Sequence, residues 1–305
     1  MSDTDFKIKG WVRILLIILP YLFIVGIFQF IGSVLSGVTY SNPDFAKSSA
    51  QQLIISFSGL LGTFLVLWIF MKYIDREKFS MLGFQVKNRF LDFMVGTLVA
   101  LVTMISGFVL LIGLNEIKYS AIVLNFDEVV ISVLLFLIVA IVEEALFRGY
   151  VLKNLMLSSN KYVALVISSV LFSLMHGFNP NMSLFSFFDL FCAGMILGIT
   201  YIFTKNLWYP IGLHFGWNLF QTHLGFNVSG QDFYSVIEFN YTSPNLLNGG
   251  EFGFEGSILS LFAQVVIFAG SIYYYKNFSK CTAAYTSEAG DLLTENKSPL
   301  KPSKA

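Results

Sequence analysis

The chain has 305 residues, 55% of them hydrophobic and 12% charged, with a mean hydropathy of +0.70. That makeup excludes an ordinary soluble domain and indicates an integral membrane protein. The 19 basic and 19 acidic residues balance, so no net excess points to nucleic acid or to an acidic partner.

A membrane span needs about 20 mainly apolar residues. In chain order, eight stretches qualify, at 12–36, 52–73, 91–114, 129–155, 162–178, 184–203, 206–225 and 257–275. The first follows Lys7, Lys9 and Arg13 and begins like a signal peptide, but its apolar run is too long. It also contains Pro20 and Gln29 and lacks an A-x-A cleavage site, so it reads as a retained span. In the sixth, Gly194 and Gly198 of "GMILG" have the GxxxG spacing that lets a helix approach a neighbour closely, and they are assigned to packing. Asp189, towards the outer end of that span, reads as a packing or helix-end charge. His223, at the outer end of the seventh, reads as an interface residue. Between spans seven and eight, residues 226–256 carry four acidic and no basic residues and read as a connection rather than a cap. Cys192 and Cys281 have neither metal-site spacing nor a disulfide framework. Residues 282–305, rich in Ser, Thr, Lys and Pro, read as a disordered cytoplasmic tail. The expected organisation is an all-α polytopic helix bundle, one integral membrane domain over 1–281 without internal repeat.

On alternate sides of this eight-span arrangement, seventeen Lys and Arg residues fall on one side, against only Lys47 and Lys118 on the other. Basic residues are retained on the cytoplasmic side, so both termini are expected inside.

The fourth span contains "IVEEALFRGYVL", with three ionisable groups where each costs roughly 2.5–3.5 kcal/mol at the centre of a span. They must face protein or water. Glu144 and Arg148 are four apart on one helical face and are expected to pair. Glu143, about 100° round the helix, lacks a local partner and is available as a base. Two of the three histidines also lie in apolar spans: His176 in "FSLMHGFNP" and His214 in "GLHFGWNLF", with Asn218 one turn beyond His214 on the same face. At about 1.5 Å per residue from the cytoplasmic ends, Glu143 lies roughly 18 Å in, His176 roughly 22 Å, His214 roughly 13 Å and Asn218 roughly 19 Å. The polar groups of three helices therefore fall into one layer.

A carboxylate, two imidazoles and a carboxamide around water can hydrolyse an acyl bond. Glu143 would deprotonate the water and His176 would orient it and protonate the leaving amine. His214 and Asn218 would donate to the oxyanion. No Ser or Cys stands beside a base as a nucleophile. Glu143, His176 and His214 are also candidate ligands for a divalent metal such as zinc, although H-E-x-x-H is absent. Intramembrane Glu, His and Arg mark proton relays too, so an ion- or proton-coupled transporter is the alternative, and a non-catalytic immunity or signalling partner a third.

The ordered set "EEALFR" (Glu143, Glu144, Arg148), "FSLMH" (Phe172, His176) and "HFGWN" (His214, Asn218) resembles the E-E-x-x-x-R, F-x-x-x-H and H-x-x-x-N motifs of the CPBP intramembrane proteases. This is the family of type II CAAX prenyl proteases and bacteriocin-processing enzymes. The resemblance covers about residues 127–225. It implies an eight-span fold, an active-site cavity open to the cytosol and endopeptidase activity. It also implies water activation by Glu143 and His176, and oxyanion stabilisation by His214 and Asn218. Glu144, Arg148 and Phe172 take supporting places. The implied partners are a peptide or membrane-protein substrate and the lipid bilayer, with no nucleic acid. The short loops suggest a bacterial member in the inner (cytoplasmic) membrane, where prenylated substrates are not expected.

Overall fold

The computed structural model of the chain describes residues 8–38 and 47–275. Lys7, Cys281 and the tail at 282–305 lie outside the described residues. Within them run eight long helices, which we label α1 (Gly10–Leu35), α2 (Ser49–Asp75), α3 (Phe90–Gly113), α4 (Phe126–Met156), α5 (Lys161–Met175), α6 (Leu184–Thr204), α7 (Trp208–His223) and α8 (Ile258–Tyr275). They form an all-α polytopic bundle, and the protein is an integral membrane protein.

Local chemistry sets where these helices begin. Ser48 and Gln51 form a reciprocal capping box at α2. The Asn125 side chain accepts from the backbone N–H groups of Asp127 and Glu128, whose acidic side chains also suit the positive end of the α4 dipole. Asn160 and Ser183 cap α5 and α6 in the same way. Large apolar side chains such as Leu19, Phe23, Leu98 and Phe262 remain exposed along α1, α3 and α8, as a surface dissolved in lipid requires.

Eight spans are expected from hydropathy; six helices are long and apolar enough to cross a membrane. The exceptions are α5 and α7, with 15 and 16 residues. At about 1.5 Å per residue they reach roughly 22–24 Å, short of the ~30 Å hydrocarbon core. The reason is local. Met175 is the last residue of α5, His176 stands at its C-cap, and the chain leaves the helix there. Irregular backbone at such a depth is tolerated where it lines a cavity.

Small residues bring the helices together. A methyl group added at Gly194 or Gly198 would overlap Ser169 or Leu165 of α5, so the GxxxG spacing is a packing device between α5 and α6. On the other side of the bundle, Gly96 of α3 and Gly212 of α7 each face backbone of the opposite helix, with no room for a Cβ. Asp189 is fully buried and accepts hydrogen bonds from Ser260 Oγ (3.0 Å) and Gln264 Nε2 (2.7 Å), pinning α8 to α6. His223 Nε2 lies 2.7 Å from Ser132 Oγ, which ties the end of α7 to α4 rather than leaving the ring at an interface.

Two strands accompany the helices. β1 (Ile117–Ile122), in the α3–α4 link, pairs antiparallel with β2 (Ile237–Tyr241), in the α7–α8 link, in the register Ile117 to Tyr241 and Ile122 to Ile237. The 226–256 segment is therefore more than a connection. Tyr234 Oη donates to the Val123 carbonyl (2.6 Å) and accepts from the Asn125 N–H (2.8 Å). Asn179 Nδ2 donates to the Ser229 carbonyl (3.1 Å). Gly230, at φ +79°, presses so closely on the Pro180 carbonyl that no side chain fits. The loop is fastened over one end of the bundle.

Candidate active site

The site starts where α4 changes its winding. The helix is regular to Glu144 and then opens into a π-turn over Ala145–Leu152, all eight residues of which are buried. Such local π geometry recurs at functional sites because it re-aims side chains without ending the helix. Here it carries Arg148 back to Glu144: Nη1 donates to Glu144 Oε1 at 2.9 Å and Nη2 to the Gly194 carbonyl at 3.1 Å. The guanidinium carbon lies 4.5 Å from the centre of the Phe172 ring, a buried cation–π contact. Phe172 in turn packs against His176, with ring centres 4.7 Å apart.

Glu144 has a second task. Its Oε1 also accepts from His214 Nδ1 at 2.9 Å. A carboxylate only accepts, so Nδ1 carries the proton and Nε2 is turned the other way. His176 is oriented by the same logic, since its Nδ1 donates to the Phe172 carbonyl at 2.8 Å. Both free Nε2 atoms face Glu143: Glu143 Oε2 lies 3.7 Å from His176 Nε2 and 3.9 Å from His214 Nε2. These separations exceed direct hydrogen bonds and suit a bridging water. Glu143 Oε2 is buried and makes no hydrogen bond to the described residues. Asn218, one turn from His214, lines the same cavity. Of the residues expected from three spans to share a layer, Glu143, His176 and His214 are thus brought to one point.

Among the described residues, no three His, Cys, Asp or Glu side chains are arranged to hold a metal ion. Glu143, His176 and His214 are the residues that would hold a divalent ion if one bound there.

The cavity has a volume of about 1200 Å³, large enough for a polypeptide segment. Leu135, Phe136, Val139, Ile196 and Trp217 line it along with the polar residues. Sequence reasoning missed the part played by the α7–α8 loop. Ser229, Gln231, Asp232, Tyr234 and Glu255 from that loop all line the cavity. Glu255 is buried, and its Oε2 accepts from both the N–H and the hydroxyl of Ser229, each at 2.8 Å. Burial holds its carboxyl above the ordinary range, against the hydrogen bonds from Ser229 and the nearby His176 and His214. The signal was available only as an acidic residue in a loop with no basic one.

Two expectations about orientation collide here. Arg148, counted among the loop charges, is an interior ion-pair member. Apart from Lys47 and Lys118, the other basic side chains among the described residues gather at the end opposite the cavity mouth, whose lining includes Lys47, Asn125, Asn179 and Asp232. The described chain ends, Gly10 of α1 beside Asn154 and Tyr275 of α8 beside Phe203, stand at the end opposite the mouth.

Residues 125–220 match the family model of the type II CAAX prenyl endopeptidases described as Rce1-like. The matched segment runs from the Asn125 cap of α4 through His214 and Asn218, and it supports membership of the CPBP family. A search among curated proteins finds no match.

Proposed function

We propose, with that family match as premise, that the chain is an intramembrane endopeptidase that hydrolyses a peptide bond with water activated by Glu143 and His176. The observation that carries the reading is the convergence of Glu143 Oε2 and two oriented Nε2 atoms at 3.7 and 3.9 Å.

A water between these groups gives a proton to Glu143 while its oxygen attacks the scissile carbonyl carbon. The C–O bond forms, and the carbonyl electron pair moves onto oxygen. Asn218 donates to that oxyanion. His214 can do the same from Nε2 only when its ring carries both protons, because Nδ1–H is committed to Glu144. As the C–N bond breaks, the amine nitrogen takes the proton that Glu143 and His176 hold between them. A carboxylic acid and an amine leave, and Glu143 is ionised again. Glu144, Arg148 and Phe172 hold the two rings in place.

The substrate is a peptide or a membrane-associated protein, and the setting is a bacterial inner membrane. Comparative peptidomics of cells making the native chain or Glu143→Ala tests the reading. A product present only with the native chain supports it, and identical peptide profiles oppose it.

A further inference from the structure

The cavity reaches only one end of the bundle. Its wall follows α4 from Asn125 to Glu143, roughly 27 Å at about 1.5 Å per residue. Beyond Glu143 the chain closes. Every residue from Ala145 to Leu152 is buried, and Leu152 and Leu165 pack against Gly198. Among the described residues, none from the closed end lines the cavity.

Charge identifies the two ends. Among the described residues, Lys9, Lys72, Lys78, Lys87, Lys153, Lys161 and Lys205 stand at the helix ends and links of the closed side, whereas Lys47 and Lys118 stand on the side of the mouth. Packing at the closed side gathers these helix ends: Arg13 at the start of α1 pairs with Asp75 at the end of α2, at 3.0 Å, and bonds Asn154 at the end of α4, at 3.3 Å. At the mouth, by contrast, the loop supplies Asp232 and α4 supplies Glu128. Short basic loops are retained in the cytoplasm.

We infer that the substrate reaches Glu143 from the extracytoplasmic face, so that the bond cut belongs to a polypeptide segment that has already been exported. A cytosolic C-terminal tail, such as a prenylated one, has no path to Glu143 through the closed end. The side of the mouth is independent of the endopeptidase reading, and the substrate class rests on it.

Single cysteines test the side directly. In a full-length chain with Cys192→Ser and Cys281→Ser, Asp232→Cys at the mouth and Lys87→Cys at the closed end are exposed to a membrane-impermeant maleimide in intact cells, then after permeabilisation. The inference expects Asp232→Cys to be labelled in intact cells and Lys87→Cys only after permeabilisation. The reverse pattern overturns it. In the peptidomics comparison, a product from an exported segment agrees with the inference, and one from a cytosolic segment overturns the substrate class. Absence of any product sinks the endopeptidase reading and leaves the labelling result standing.

Discussion

Arg148 and Glu144 are both almost wholly buried and pair through Nη1 and Oε1 at 2.9 Å. Truncating one member of such a pair strands an uncompensated charge, at a cost of about 3–5 kcal/mol. Arg148→Ala is therefore expected to lower the thermal midpoint of the purified protein in detergent substantially. Arg148→Lys should recover only part of it, because a lysine replaces neither the planar contact with Phe172 nor the forked donation to Glu144 and Gly194. A midpoint unmoved by either change would count against this pair as the brace of the site. Asn218 supports a different test, since its side-chain amide makes no hydrogen bond to the described residues and lines the cavity. Asn218→Ala should lower kcat by roughly 10²- to 10³-fold with KM little changed, and loss confined to KM would remove it from the oxyanion role. The Glu144–Arg148 pair was legible from its spacing alone. The bond from Glu144 to His214 was not, because it joins residues seventy positions apart.

At the scale of the helix, the close approach of α6 to α5 leaves little room at Gly198, where an added Cβ would lie 2.4 Å from Leu165 Cδ1 and 3.3 Å from Leu152 Cδ2. Gly198→Leu is expected to destabilise the fold by about 1–3 kcal/mol through overpacking, read as a lower midpoint in the same detergent assay. An unchanged midpoint would show that the GxxxG spacing is incidental. Hydropathy located all eight helices because a span must be continuously apolar. It overestimated α5 and α7, because the apolar run continues past Met175 into "HGF" although the helix stops there. The strands could not be read either. β1 and β2 are short pieces whose pairing is decided by where the α3–α4 and α7–α8 links meet, and no local pattern encodes that meeting. The π-turn at Ala145–Leu152 is equally silent, being a change in hydrogen-bond register within an ordinary-looking apolar helix.

For the whole molecule, the fastening of the α7–α8 loop over the cavity makes Glu255 a probe of assembly. Burial raises its carboxyl pKa in the native state, so the folded protein binds that proton more tightly than the unfolded chain. Its contribution to stability is complete below the unfolded carboxyl pKa and is lost as pH rises through the raised native value. Glu255→Gln should flatten that part of the midpoint-versus-pH curve, and an undiminished slope would assign it to other groups. The loop's place over the site was hidden in the sequence because contacts such as Asn179 to Ser229 and Gly230 against Pro180 appear only once α5 stops short. The most direct measurement for the whole account is turnover of a cleaved peptide by purified native protein and Glu143→Gln under identical conditions. The account requires a fall of about 10²-fold or more, in the range expected for a general base, with an unchanged thermal midpoint. Equal turnover by the two proteins would contradict it.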